Sequence, residues 1–187
     1  MKWELVFLFI ITMSYVNALQ ISEIMYNPNG TDLGREWIEI YSDIEFNITN
    51  LLVFDNNGNH ITKLIQGNEL IKGYAIITSN PANFLSEYDY NGVLLQSSIA
   101  LPNTQGIIGL RKDNNIFENT TYNNIWGGNG NGRTLEKFQD IWIESETIRG
   151  TPGYGYLESH QVPEFTTIGV VVALICILSA LVFRRKK

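Results

Sequence analysis

The hexapeptide Glu36-Trp37-Ile38-Glu39-Ile40-Tyr41 decides how the chain is read. In an extended strand successive side chains point to opposite faces. Ile38 and Ile40 then share one face, and Trp37, Glu39 and Tyr41 share the other. Short runs of the same two-residue alternation recur, and no window between the chain ends keeps a convincing helical period. Candidate strands are residues 19–26, 36–42, 48–54, 60–65, 70–78, 93–96, 107–111, 115–122, 133–137 and 142–145, with one short helical turn near 83–87. Asn-Gly steps at Asn29-Gly30, Asn57-Gly58, Asn91-Gly92, Asn129-Gly130 and Asn131-Gly132 suit turns that need positive φ. Short strands at roughly ten-residue spacing predict an all-β chain folded as an antiparallel β-sandwich.

The length of 187 residues predicts one domain with appendages, and an apolar content of 44% is enough for a packed core. A single cysteine excludes an intramolecular disulfide. With only two histidines beside it, most zinc sites are excluded as well. Lys2 followed by the apolar run Leu5 to Met13 and the small-residue exit Val16-Asn17-Ala18 predicts a signal peptide over residues 1–18, cleaved after Ala18. Residues 166–183 carry no charge and, with Phe165, come close to the length that crosses a ~30 Å hydrocarbon core. Arg184, Arg185, Lys186 and Lys187 follow at once, which predicts a cytoplasmic tail and an exported body. The expected organisation is a signal segment (1–18), a β-sandwich body (19–156), a linker (157–163), a transmembrane helix or sorting signal (164–183) and a basic tail (184–187). Between residues 19 and 161 the chain holds 17 acidic and 8 basic residues, so the body's net charge is 8 − 17 = −9. That sign repels phosphate backbones, and no basic stripe offsets it, so no nucleic-acid partner is expected.

Several separated segments resemble one family. They are Ile21-Ser22-Glu23-Ile24-Met25-Tyr26-Asn27-Pro28, the hexapeptide 36–41, Gly73-Tyr74-Ala75-Ile76-Ile77-Thr78 and Gly106-Ile107-Ile108-Gly109-Leu110 after Leu101-Pro102-Asn103. The close, Gly132-Arg133-Thr134-Leu135-Glu136-Lys137, then Trp142, then Gly150-Thr151-Pro152-Gly153, is the most specific part. In order and spacing these segments resemble the lamin tail domain, over about residues 19 to 153. The resemblance implies an immunoglobulin-like β-sandwich of the type found in prokaryotic surface proteins, with no reaction of its own. A second resemblance lies at the end of the chain. Pro163-Glu164-Phe165, one apolar segment and a terminal basic cluster are similar to the tripartite sorting signals of archaeal surface proteins. That implies an archaeosortase-type enzyme that would remove the helix and transfer the body to a lipid.

Chemistry is sparse in the body. The stretch Gly127-Gly128-Asn129-Gly130-Asn131-Gly132-Arg133 lacks the Lys-Ser/Thr of a phosphate loop and reads as a turn. Asp55, Asn57 and Asn59 open like a calcium loop, but His60 and Gln66 stand where glycine and glutamate are required, so a hairpin is expected instead. A looser calcium site from Asp32, Glu36, Asp43 or Glu45 needs those carboxylates to converge. His60 and His160 offer little for nucleophilic catalysis, which needs a base beside the nucleophile. Glu36 and Glu39 would point to opposite faces of a strand, unlike a glycosidase pair. Trp37 and Tyr41 form a strip that could stack on sugar rings if it is open; a loop or the second sheet would close it. Asn29, Asn47 and Asn119 head Asn-x-Thr sequons, which imply exposed loop or strand positions if glycosylated. The expectation is an exported, membrane- or lipid-anchored, non-catalytic surface protein without cofactor or metal. Its work would be structural or adhesive, toward envelope proteins or glycans. The alternative is a carbohydrate-binding module or an accessory to a secreted hydrolase.

Overall fold

The computed structural model describes residues 19–138 and 140–154. The signal segment with Ala18, the linker, the apolar segment, the basic tail and Pro163-Glu164-Phe165 lie outside the described residues. Within them, eleven strands and one helix form two sheets. In chain order these are β1 (Gln20–Met25), β2 (Trp37–Asn47), β3 (Leu51–Asp55), β4 (Gly58–Ile61), β5 (Lys63–Gln66), β6 (Leu70–Thr78), α1 (Pro81–Glu87), β7 (Val93–Gln96), β8 (Gln105–Lys112), β9 (Asn115–Asn123), β10 (Leu135–Phe138) and β11 (Ile141–Glu144). The larger sheet runs β11-β10-β1-β2-β6-β7-β5, and the smaller β4-β3-β8-β9.

The inner faces of the two sheets share one core. Ile24, Ile38, Ile40, Ala75 and Ile77 from the large sheet meet Leu51, Val53, Ile108 and Leu110 from the small one. Ile38 and Ile40 therefore lie inward, as the alternation predicts. The large sheet is also covered on its other face. There Met25, Trp37, Ile76 and Leu94 pack against Phe84 of α1. Burial on both faces explains why β1, the start of β2 and the end of β6 are buried residue after residue, the pattern of a covered central strand.

Three features differ from expectation, each for a local reason. The large sheet is mixed and not purely antiparallel, because β6 and β7 run parallel, with Ala75 opposite Val93 and Thr78 opposite Gln96. A parallel pair needs a crossover, and α1 provides it. Asn80 caps that helix through its side-chain oxygen, which accepts from Asn83 N at 3.2 Å, and Pro81 takes the first-turn position where no N–H is needed. The strand expected at 60–65 divides at Thr62. Thr62 donates to the Leu51 carbonyl from both its backbone N (3.3 Å) and its hydroxyl (2.7 Å). The chain then leaves the small sheet for the large one. β2 continues to Asn47 through a register shift between Ser42 and Phe46.

Candidate functional site

Four of the segments singled out in the sequence, those around Glu23, Glu39, Glu136 and Thr151, meet at one place. Glu23 lies in register with Glu39 on one side and with Glu136 on the other, so three carboxylates stand side by side on β10, β1 and β2. All three are buried. Residues 150–154 cross over them as a strap. Thr151 N donates to Glu23 at 2.9 Å, Gly153 N donates to Glu39 at 2.6 Å, and the Thr151 hydroxyl lies 3.2 Å from Glu136. Ser22 Oγ donates to Glu39 at 2.7 Å, and the Thr134 hydroxyl donates to Glu23. Burial first, then the neighbouring Glu39 charge, holds the Glu23 carboxyl well above the usual carboxylate range. Buried carboxylates kept so close need hydrogen-bond donors, and the strap supplies them together with Ser22 and Thr134. The cluster is thus a closed structural joint. Among the described residues, no three or more His, Cys, Asp or Glu side chains are grouped to hold a metal ion.

The expected stacking strip is not open. Trp37 is fully buried. Phe84 and Tyr88 of the helix region pack edge-on to it at 5.8 and 5.7 Å, and its Nε1–H donates to the Tyr88 hydroxyl at 3.1 Å. Tyr41 is half-buried against Tyr74, with ring centroids 4.7 Å apart. A covering helix and the strap, not the second sheet, close this face. Asn29, Asn47 and Asn119 are all exposed.

Asp55 and Gly58 close the β3–β4 hairpin in register, as expected of that segment. The Asp55 carboxylate accepts from Asn57 N (2.6 Å), Ala100 N (3.0 Å) and His60 Nε2 (2.8 Å), which leaves little for an ion. Asp43 and Glu45 are exposed in the far half of β2. Glu36 instead sits near Asp32 and Asp55 and accepts from Leu101 N at 3.1 Å. Its carboxyl is pushed up to about 7, chiefly by burial and then by the Asp32 and Asp55 charges. His60 also reaches Ser98: Nδ1 lies 2.9 Å from Ser98 Oγ. Asp55, His60 and Ser98 therefore form a line that sequence spacing concealed, since 38 residues separate the histidine and the serine. It ties the β3–β4 hairpin to residues 97–101.

A groove absent from the sequence reading lies at one end of the outer face of the small sheet. It is a hollow of about 400 Å³ lined by Asn56, Gln105, Ile107, Thr121, Asn123 and Trp126 among others. Trp126 belongs to a 3-10 turn (Asn124–Trp126) capped by the Asn123 side chain. The glycine-rich stretch that follows is a turn, as expected. Gly128 N donates to Glu144 at 2.7 Å, and that bond first, then Asn131, holds the Glu144 carboxyl below its ordinary value. No family model, curated protein or solved structure matches this chain.

Proposed function

We propose that the chain is an exported surface protein, held by a membrane span or a lipid, whose lamin-tail-like, immunoglobulin-like sandwich does non-catalytic structural or adhesive work. The strap is the observation that supports this most. Residues 150–154 lie two residues before the expected linker to the apolar segment, and they are fixed by backbone N–H groups to Glu23 and Glu39. Those residues sit on β1 and β2, interior strands of the large sheet. Tension from an anchor would reach the sheet first at these interior strands and not at the edge strand β11. The sequence supports the same reading through its cleavable-type leader, its uncharged segment and its terminal cations. Asp55, His60 and Ser98 act in this reading as a strut. The carboxylate is held by two backbone amides as well as the imidazole, and it orients the ring that braces residues 97–101.

Intact cells treated with a broad protease, followed by membrane fractionation, test the display. Peptides from residues 19–154 should be released from whole cells while the protein co-sediments with membranes. Recovery in the soluble cytoplasmic fraction, with residues 1–18 still attached, would overturn the proposal.

A further inference from the structure

We infer that the groove beside Trp126 binds an uncharged saccharide. The inference names the ligand class of the adhesive reading above and rests on it for the setting in which such a ligand is met.

The groove's chemistry is unusual for this molecule. In a body of net charge −9, none of the residues lining it is charged. Three of its polar groups are amides, and backbone N–H groups fix the orientation of two of them, Asn56 and Asn123. Asn56 Oδ1 accepts from Ile107 N at 2.9 Å, so the Asn56 amide presents its NH₂ end elsewhere. Asn123 Oδ1 accepts from Ile125 N at 3.0 Å, which turns Asn123 Nδ2 toward Gln105 Oε1 at 3.3 Å. Gln105 in turn keeps its own NH₂ end available. The Thr121 hydroxyl adds a group that both donates and accepts. The result is a small set of oriented, neutral hydrogen-bonding groups.

An apolar platform lies beside them. Trp126 is 40% exposed, Ile107 42% and Ile125, next to Trp126 in the 3-10 turn, 81%. A tryptophan left in water next to two isoleucines is the kind of patch that marks a contact site. Its indole also carries a donor at the edge of a large apolar face. A pyranose ring matches this combination. It has hydroxyls around its rim for the amides and Thr121, and C–H faces that stack on an indole. The volume of about 400 Å³ falls within the range of roughly 300–1,000 Å³ usual for small-molecule sites. A phosphorylated or acidic ligand finds no cation in the lining and is repelled by the body's charge. Nucleobases could also stack on Trp126, but their phosphates disfavour them here.

The test uses the full chain, made in a host that adds no N-glycans, in a detergent without a sugar headgroup. Tryptophan fluorescence and saturation-transfer NMR follow titration with neutral oligosaccharides built from glucose, mannose, galactose or N-acetylhexosamine. At least one should bind at millimolar concentration or below. Trp126→Ala should weaken it by about tenfold or more, and Gln105→Ala by a few-fold. Circular dichroism and the melting temperature should stay unchanged, because both side chains are surface groups. Trp126→Phe should keep part of the affinity, which separates loss of the platform from loss of the fold. Absence of binding by every neutral oligosaccharide would overturn the inference. So would binding that survives Trp126→Ala, or binding only of a single-stranded oligonucleotide. The protease test on intact cells is independent of these readouts. A displayed protein that binds no saccharide leaves the display reading standing, and a protein found in the cytoplasm removes that reading whatever the groove binds.

Discussion

Glu23 and Glu39 are direct cross-strand partners on β1 and β2, and both are fully buried. Like charges opposite one another destabilise a sheet; burial favours the neutral Glu23 carboxyl, and residues 150–154 add backbone donors to both side chains beside those from Ser22 and Thr134. Gly150 makes this possible. Its φ is +73°, and a Cβ there would run into Glu23 and Thr134. Gly130 has a similar φ of +70° but only ordinary van der Waals neighbours. Gly150→Ala should therefore destabilise by about 3 kcal/mol and Gly130→Ala by about 1 kcal/mol. Denaturant unfolding of the two variants decides it; equal losses would show that the strap is not tightly seated.

Ile40 and Leu110 face each other's sheets in the shared core, and both are fully buried. Truncating either to alanine should reduce stability by about 2–4 kcal/mol. Urea midpoints at fixed pH measure this, and losses under about 0.5 kcal/mol at both would contradict the assigned inner face.

The pH dependence has a defined sign. Glu36 titrates near 7 when folded, against an ordinary value of 4.5. The folded state therefore binds this proton more tightly than the unfolded state does. Its contribution is fully present below pH 4.5 and is lost as pH rises through 7. Glu36→Gln, which can still accept from Leu101 N, should remove this component. Solvent that still reaches the group limits it to the order of 1 kcal/mol. Urea midpoints of variant and wild type at acidic and mildly alkaline pH should differ by different amounts. A difference that does not change with pH would refute the assignment.

The line Asp55–His60–Ser98 has the residue types of a hydrolytic triad, and its role as a strut is checked chemically. His60→Ala should lower stability by about 1–2 kcal/mol, since it leaves Asp55 short of a partner, while Ser98→Ala should change it by less than about 0.5 kcal/mol. A fluorophosphonate probe should leave Ser98 unlabelled in mass spectra. Stoichiometric labelling that disappears in His60→Ala would mark a nucleophile and end the non-catalytic reading.

Mass spectrometry of the mature protein tests the proposed sorting signal. Processing predicts loss of everything beyond the Pro163-Glu164-Phe165 region, and replacement of those three residues by alanine should block maturation. A mature C-terminal peptide that still contains Arg184 would leave a retained span instead.

Strand positions were legible because alternation and Asn-Gly punctuation are local signals. The run 70–78 coincides with β6, and 93–96 with β7. What alternation cannot show is which outer face another element covers. Trp37 and Tyr41 lie on the expected face, yet Phe84 and Tyr88 come from 47 and more residues away to bury Trp37. The parallel pairing of β6 and β7 is equally invisible in a period-two pattern. Two further signals lie in the sequence. Glutamates inside the apolar runs around Ile21 and Ile38 mark strands whose both faces are buried. The adjacent Ile125 and Trp126, set between asparagines and glycines, break the polar character of a turn and announce the groove.

The placement of β1 has a further consequence, for the order in which the fold can be completed. Strand β1 pairs with β2, which follows it closely, but also with β10, where Glu23 meets Glu136 across 136 − 23 = 113 residues. Closing so long a loop is entropically slow, and folds dominated by distant pairings form later than those with local ones. The centre of the large sheet therefore stays unfinished until nearly the whole body has been synthesised. Until then β1 can hold only its nearby partner β2, and the face of Glu23 that meets Glu136 stays open.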